Sequence, residues 1–311
     1  MSQVLLDAMS VTLKTKTKNL KQLSIEEFIL FVEQCQREIV QTFALTQVQV
    51  RRMNPQTLHD LYHAMKHGDG GQFVFRHGEQ DFSPVNAPFD EMSKKIIMMQ
   101  AKHNENDPIT LNSSVEFIGT LLTLAYLKEK ASYRIQVDSS SNRRAKQPAE
   151  MLAKTFEIPL LLSPSWECIN YPADSALDST QLDMKGNLEW NRQKVDAVIG
   201  IGTFDRITDE IKTVLTAEIA AKTIQVIITH TQQLDEFYAK ASGLPASGRL
   251  SHYGFVFRNR AYVLRYEDGF YNKEILTLKY ELPRFSQLSS QGVFANSSII
   301  PDEEARKLKL K

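Results

Sequence analysis

The chain has 311 residues, 42% hydrophobic and 24% charged, the balance of a globular protein long enough to bury a sizeable core. Lys+Arg and Asp+Glu are equal at 37 each, so there is no net attraction to nucleic acid or to an anionic membrane; neither is expected as a partner, and an anion site has to be built locally. Cys35 and Cys168 lie far apart, with no disulfide framework or Cys-x-x-Cys spacing, and no secretory leader or membrane-length apolar run is present, so the expected location is the cytoplasm, a pattern that export without a cleaved signal would share.

Residues 1 to about 70 read as helical and without a strand. Ser24 and Glu27 form a capping box, followed by Ile25, Phe28, Val32, Cys35 and Ile39 at helical spacing. A second helix starts at Asn54-Pro55 and carries Leu58, Leu61 and Met65 on one face. After Gly68-Asp69-Gly70-Gly71 the pattern changes to short apolar runs alternating with amphipathic helices, the pattern of an α/β sheet. Strands are predicted at 72–76, 133–138, 158–162, 196–199 and 224–229. Helices are predicted after Asn112-Ser113 with Glu116 as capping partner, over about 144–155, and along Ile207, Ile211, Val214 and Ile219. Past residue 250, three apolar segments separated by turn residues predict an antiparallel meander. The expected fold is α/β: a three-layer α/β/α sandwich with a mostly parallel central sheet. Residues 1–70 form a helical extension, 71–287 the α/β domain and 288–311 a polar tail.

The reactive residues fall at strand ends. Phe73-Val74-Phe75 runs into Arg76-His77-Gly78-Glu79, Ile135-Gln136-Val137 runs toward Ser139-Ser140-Ser141-Asn142-Arg143-Arg144, and Val226-Ile227-Ile228 runs into Thr229-His230-Thr231. Ligands of open α/β sheets bind beyond the carboxyl ends of the strands, so the three clusters are expected to converge on one anion site.

These motifs resemble the histidine phosphatase superfamily, which includes the cofactor-dependent phosphoglycerate mutases and the histidine acid phosphatases. Arg76-His77-Gly78-Glu79 is similar to its Arg-His-Gly signature. Ser140-x-x-x-Arg144-Ala145-x-Gln147-x-Ala149-Glu150 is similar to its second motif, with Pro148 in place of the usual Thr, and the strand ending in Thr229-His230 matches its second catalytic histidine. The resemblance covers about residues 70–265. It implies a phosphatase that takes phosphate from a small-molecule phosphomonoester or another phosphorylated substrate onto His77 and releases it to water, with no metal and no cofactor. Arg76, Arg144 and His230 are the implied phosphate ligands, and Gly78 is expected to let the backbone approach the phosphate. Glu167, in Ser165-Trp166-Glu167-Cys168, is the expected proton donor, with Glu79 as second choice. Thr231 stands where the acid-phosphatase branch carries an Asp donor. Two alternatives are a mutase that returns the phosphoryl group to its substrate and a pseudoenzyme that holds a phosphorylated partner.

Other features read as structural. His59, His63 and His67 form a row on one helix but lack a completing ligand for a metal. Gly200-Ile201-Gly202 reads as a tight turn, not a dinucleotide loop, and Ile96-Ile97-Met98-Met99 as core packing. The polar stretch from about 169 to 192 is the expected cover over the pocket.

Overall fold

The computed structural model describes residues 3–43, 52–66, 71–78, 107–167, 209, 219–230, 253–257, 260–267 and 270–276. It opens with helix α1 (Gln3–Lys16), a 3-10 turn (Thr17–Gln22) and helix α2 (Ile25–Thr42). The capping box is formed. Ser24 Oγ accepts from the Glu27 N–H at 3.1 Å, and the Glu27 carboxylate accepts from the Ser24 N–H at 2.7 Å. It starts the helix in the phase that turns Phe28, Val32, Cys35 and Ile39 inward. Phe28 stacks on Tyr126 with ring centroids 4.2 Å apart, and the Tyr126 hydroxyl donates to the Leu23 carbonyl at 3.2 Å.

Helix α3 (Pro55–Lys66) starts after Asn54, whose side-chain oxygen accepts from the Gln56 N–H at 2.9 Å. Just before it lies a strand that the sequence reading misses. Arg52–Met53 (β1) pairs in parallel with Phe270 and Tyr271. Two residues are too few to show a period, and their partner is remote in sequence, so nothing local marks them.

The sheet contains β2 (Gly71–Arg76), β3 (Arg134–Ser139), β4 (Leu160–Leu162), β5 (Thr223–Thr229), β6 (Tyr253–Phe257), β7 (Arg260–Glu267) and β8 (Phe270–Leu276). Its order is β1-β8-β7-β6-β2-β5-β3-β4. Strands β2, β5, β3 and β4 run parallel to one another. The expected meander, β6 to β8, is antiparallel and extends the sheet beyond β2. Helices α4 (Leu111–Ala131) and α5 (Arg143–Phe156) precede and follow β3. The start of α4 differs from the expected Asn112-Ser113 cap. Thr110 is the N-cap, its hydroxyl accepting from the Ser113 N–H at 3.2 Å.

Side-chain alternation gives the central strands β2 and β5 two buried faces. Phe73, Phe75, Ile135, Val137, Ile224, Val226 and Ile228 point to one side and join Leu121, Leu124 and Leu152 of α4 and α5 in a single core. On the other side Gln72, Val74, Asp138, Ile227 and Thr229 are buried as well. A sheet covered on both faces is the middle layer of an α/β/α sandwich, as expected. Gln72 donates to Gln225 at 2.7 Å, and Gln225 in turn donates to Asp138. Burial pushes the Asp138 carboxyl above its ordinary range.

Leu6, Met9 and Leu13 of α1 belong to the same core as the sheet, and α1 packs on α5. Among the described residues no helix is long and apolar enough to cross a membrane. The predicted strand at 196–199, Ile207, Ile211 and Val214 of the predicted helix, the cover at 169–192, Ile96-Ile97-Met98-Met99, Gly200-Ile201-Gly202 and the tail lie outside the described residues.

Candidate active site

Adjacent parallel strands that end level with one another bring their following residues together. Arg76 is in register with Thr229, and Ser139 with Ile228. The ladder continues one residue further: the His77 N–H donates to the Thr229 carbonyl at 2.9 Å, and the Ser140 N–H to the Ile228 carbonyl at 3.2 Å. His77, Ser140 and His230 therefore meet at one point, as the strand ends predict. Helix α5 rises from the same place and carries Arg144 in its first turn.

These side chains are withdrawn from solvent: His77 is 8% exposed, Arg144 3% and His230 1%. Arg144 bridges the two histidines. Its Nε donates to His77 Nε2 at 3.1 Å and its Nη2 lies 3.3 Å from His230 Nδ1, while the imidazole centroids are 4.9 Å apart. A guanidinium only donates, so both of those ring nitrogens must present lone pairs. His77 then carries its proton on Nδ1, where it donates to the Gly78 carbonyl, and His230 carries its proton on Nε2. Burial, reinforced by the Arg144 charge and then by His230 and Arg76, holds the His77 pKa well below the ordinary imidazole value. Burial, followed by Arg144 and Arg76, does the same to His230. Both rings are neutral at neutral pH, and His77 Nε2 presents an unprotonated lone pair, covered by the Arg144 donor, in cationic surroundings.

At Gly78 the structure adds a packing constraint to the expectation from sequence. A Cβ at this position would lie 2.5 Å from Cβ of Ser113, so the loop after His77 is pressed onto the first turn of α4. What the missing side chain permits is the approach of backbone to helix.

Gln147, a residue of the second motif, is a tether. Its side-chain oxygen accepts from the Ile109 N–H at 3.0 Å and fixes the segment that leads into α4. Glu150, also in the motif, pairs with Lys146 at 3.6 Å on the outer side of α5.

Glu167 joins the cluster through a serine that the sequence offers only as a motif member. The 3-10 turn Pro164–Trp166 docks on β5 because Thr229 Oγ1 donates to the Trp166 carbonyl at 3.1 Å, and Trp166 is 2% exposed. The following carboxylate accepts from the Ser141 N–H at 2.6 Å and lies 3.0 Å from Ser140 Oγ. Ser140 Oγ is itself 3.0 Å from His230 Nε2 and accepts from the Asn142 N–H at 3.1 Å. A continuous chain thus runs from Glu167 through Ser140, His230 and Arg144 to His77.

No protein-family model matches the chain, and no curated protein does. Among solved structures, it is similar to the product of open reading frame Rv3214 from Mycobacterium tuberculosis at 12% identity, over 67% of this chain and 96% of that one, with a TM-score of 0.42. It is also similar to YhfR of Bacillus stearothermophilus at 15% identity, over 66% and 96%, with a TM-score of 0.42. The protein histidine phosphatase SixA, solved with tungstate, matches at 15% identity over 66% and 94%, with a TM-score of 0.33.

Glu79 and Thr231 lie outside the described residues, as do Cys168 and His67. His59 and His63 pack ring on ring at 4.1 Å, and among the described residues no group of three or more His, Cys, Asp or Glu is arranged to hold a metal. Cys35 lies on the buried face of α2, with its thiol pushed up to about 11 by burial, which suits packing and not nucleophilic chemistry.

Proposed function

We propose that this protein is a phosphatase of the histidine phosphatase superfamily that hydrolyses a phosphomonoester through a phosphohistidine on His77. The observation that carries the reading is the Arg144 bridge, which leaves His77 Nε2 as an unprotonated lone pair amid Arg76, Arg144 and His230.

When the phosphate enters, its oxygens take the donors of Arg144, which swings off the lone pair it now covers. Arg76 and His230 complete the cradle. His77 Nε2 attacks phosphorus in line, the P–O bond to the leaving group breaks, and the leaving oxygen takes a proton from Glu167. The Nδ1–H bond to the Gly78 carbonyl aims the ring and stabilises the positive charge it gains. Water then attacks the phosphohistidine, the Glu167 carboxylate takes the water proton, and phosphate leaves as the P–N bond breaks. Positioning and fixed positive charge account for the stabilisation of the transferring phosphoryl group.

The test is phosphate release from p-nitrophenyl phosphate in excess EDTA, with wild type and His77→Ala compared. Turnover that survives the chelator and disappears in the variant is expected, a loss of at least about 1,000-fold for removal of a nucleophile. Equal activity in the two proteins would remove His77 from the chemistry.

A further inference from the structure

Ser140 Oγ has one proton to give and two lone pairs to receive with. The Asn142 N–H occupies one lone pair at 3.1 Å. One proton and one lone pair remain, and they face Glu167 Oε2 and His230 Nε2, each 3.0 Å away. With His230 neutral, two arrangements satisfy this geometry.

In the first, His230 Nε2–H donates to Ser140 and Ser140 donates to an ionised Glu167. The observed Arg144 contact requires this one, because the Nη2 donor 3.3 Å from Nδ1 needs a lone pair there. In the second, Nδ1 carries the proton, Nε2 accepts from Ser140, and Ser140 accepts from a protonated Glu167. That arrangement needs an acceptor at Nδ1, and an oxygen of a bound phosphate is one. The second arrangement holds one more proton than the first, taken up from solvent as the anion offsets the charges of Arg144 on α5 and Arg76 on β2. His77, the other titratable group facing His230, keeps its proton on Nδ1 against Gly78 in both.

We propose that Ser140 is a positioning residue whose hydroxyl reverses direction when an anion fills the pocket, so that phosphate occupancy at His230 places a proton on Glu167. The proposal rests on the reading of the pocket as a phosphate site with Glu167 as proton donor. It gives that donor its proton only when there is a substrate to receive it. The proton then leaves on the departing alcohol, and Glu167 is again the carboxylate that the attacking water needs.

Inorganic sulfate is a suitable probe, because it is a tetrahedral dianion with no proton of its own to exchange near neutral pH. Isotope-edited infrared spectra of wild type should lose a carboxylate band and gain a carboxylic-acid band on saturation with sulfate. Glu167→Gln should abolish that change, which assigns it. Ser140→Ala should abolish it while the 15N signals of His77 and His230 still move with sulfate, and Ser140→Thr, which keeps the hydroxyl, should restore it. A wild-type Glu167 that stays ionised while His230 becomes imidazolium would overturn the proposal, as would an acid band that persists in Ser140→Ala. If sulfate leaves the His77 signals of wild type unmoved, the phosphate-site reading itself falls and the proposal with it.

Discussion

At the scale of single residues, the site is governed by which nitrogen of each imidazole carries a proton. Arg144 reaches both rings and can only donate, so one guanidinium fixes two tautomers of opposite sense. Because burial and the neighbouring charges lower both histidines, the neutral rings persist as pH falls through the ordinary imidazole range, and protonation begins only well below it. In 15N NMR spectra of the free protein at about pH 6.5, the usual midpoint for histidine, His77 is therefore predicted to be neutral with its proton on Nδ1, and His230 neutral with its proton on Nε2. An imidazolium at either position at that pH would contradict the geometry. The sequence makes His77, Arg144 and His230 legible because each stands at or just beyond the end of an apolar run. It does not single out Ser140. In Ser139-Ser140-Ser141 the first side chain is turned to backbone carbonyls and the third uses its N–H, and only the register of β3 decides that the middle hydroxyl faces both Glu167 and His230.

At the scale of elements, the pocket is the meeting of three parallel strand ends with the first turns of two helices. The strands were readable from apolar runs and the helices from their stripes, but their contacts were not. The cap of α4 falls at Thr110, ahead of the expected position, because Thr110 supplies both the turn into the helix and the hydroxyl that receives the Ser113 N–H. The tight fit of Gly78 against Ser113 is likewise a contact between segments remote in sequence. Gly78→Ala forces the new methyl into the Ser113 side chain and is predicted to cost about 1–3 kcal/mol, the range for overpacking a filled site, measured by urea denaturation. Ser113→Gly removes the opposing Cβ, so the Gly78→Ala penalty should shrink in that background. A penalty of the same size in both backgrounds would show that the contact is not its cause.

At the scale of the whole molecule, one core joins the N-terminal helices to the sheet. Leu6, Met9 and Leu13 of α1, together with Phe28, Val32 and Ile39 of α2, belong to the cluster that also contains Phe73, Val137 and Val226. The sequence shows the apolar stripe of α2 but not what it faces. It also leaves out β1, through which the N-terminal segment enters the sheet beside β8. The site depends on this packing, because α5 lies between α1 and the strands and presents Arg144 at its end. Under the proposed function this architecture serves one chemical event, the transfer of phosphate to His77 Nε2. The most direct measurement is to quench the protein in base during turnover of p-nitrophenyl phosphate and map phosphorylation by peptide mass spectrometry. Phosphate on His77 that builds up with substrate, decays when substrate is exhausted and is absent in His77→Ala is the predicted result. Sustained turnover with no phosphate on His77 at any quench time, and with activity retained in His77→Ala, would contradict it.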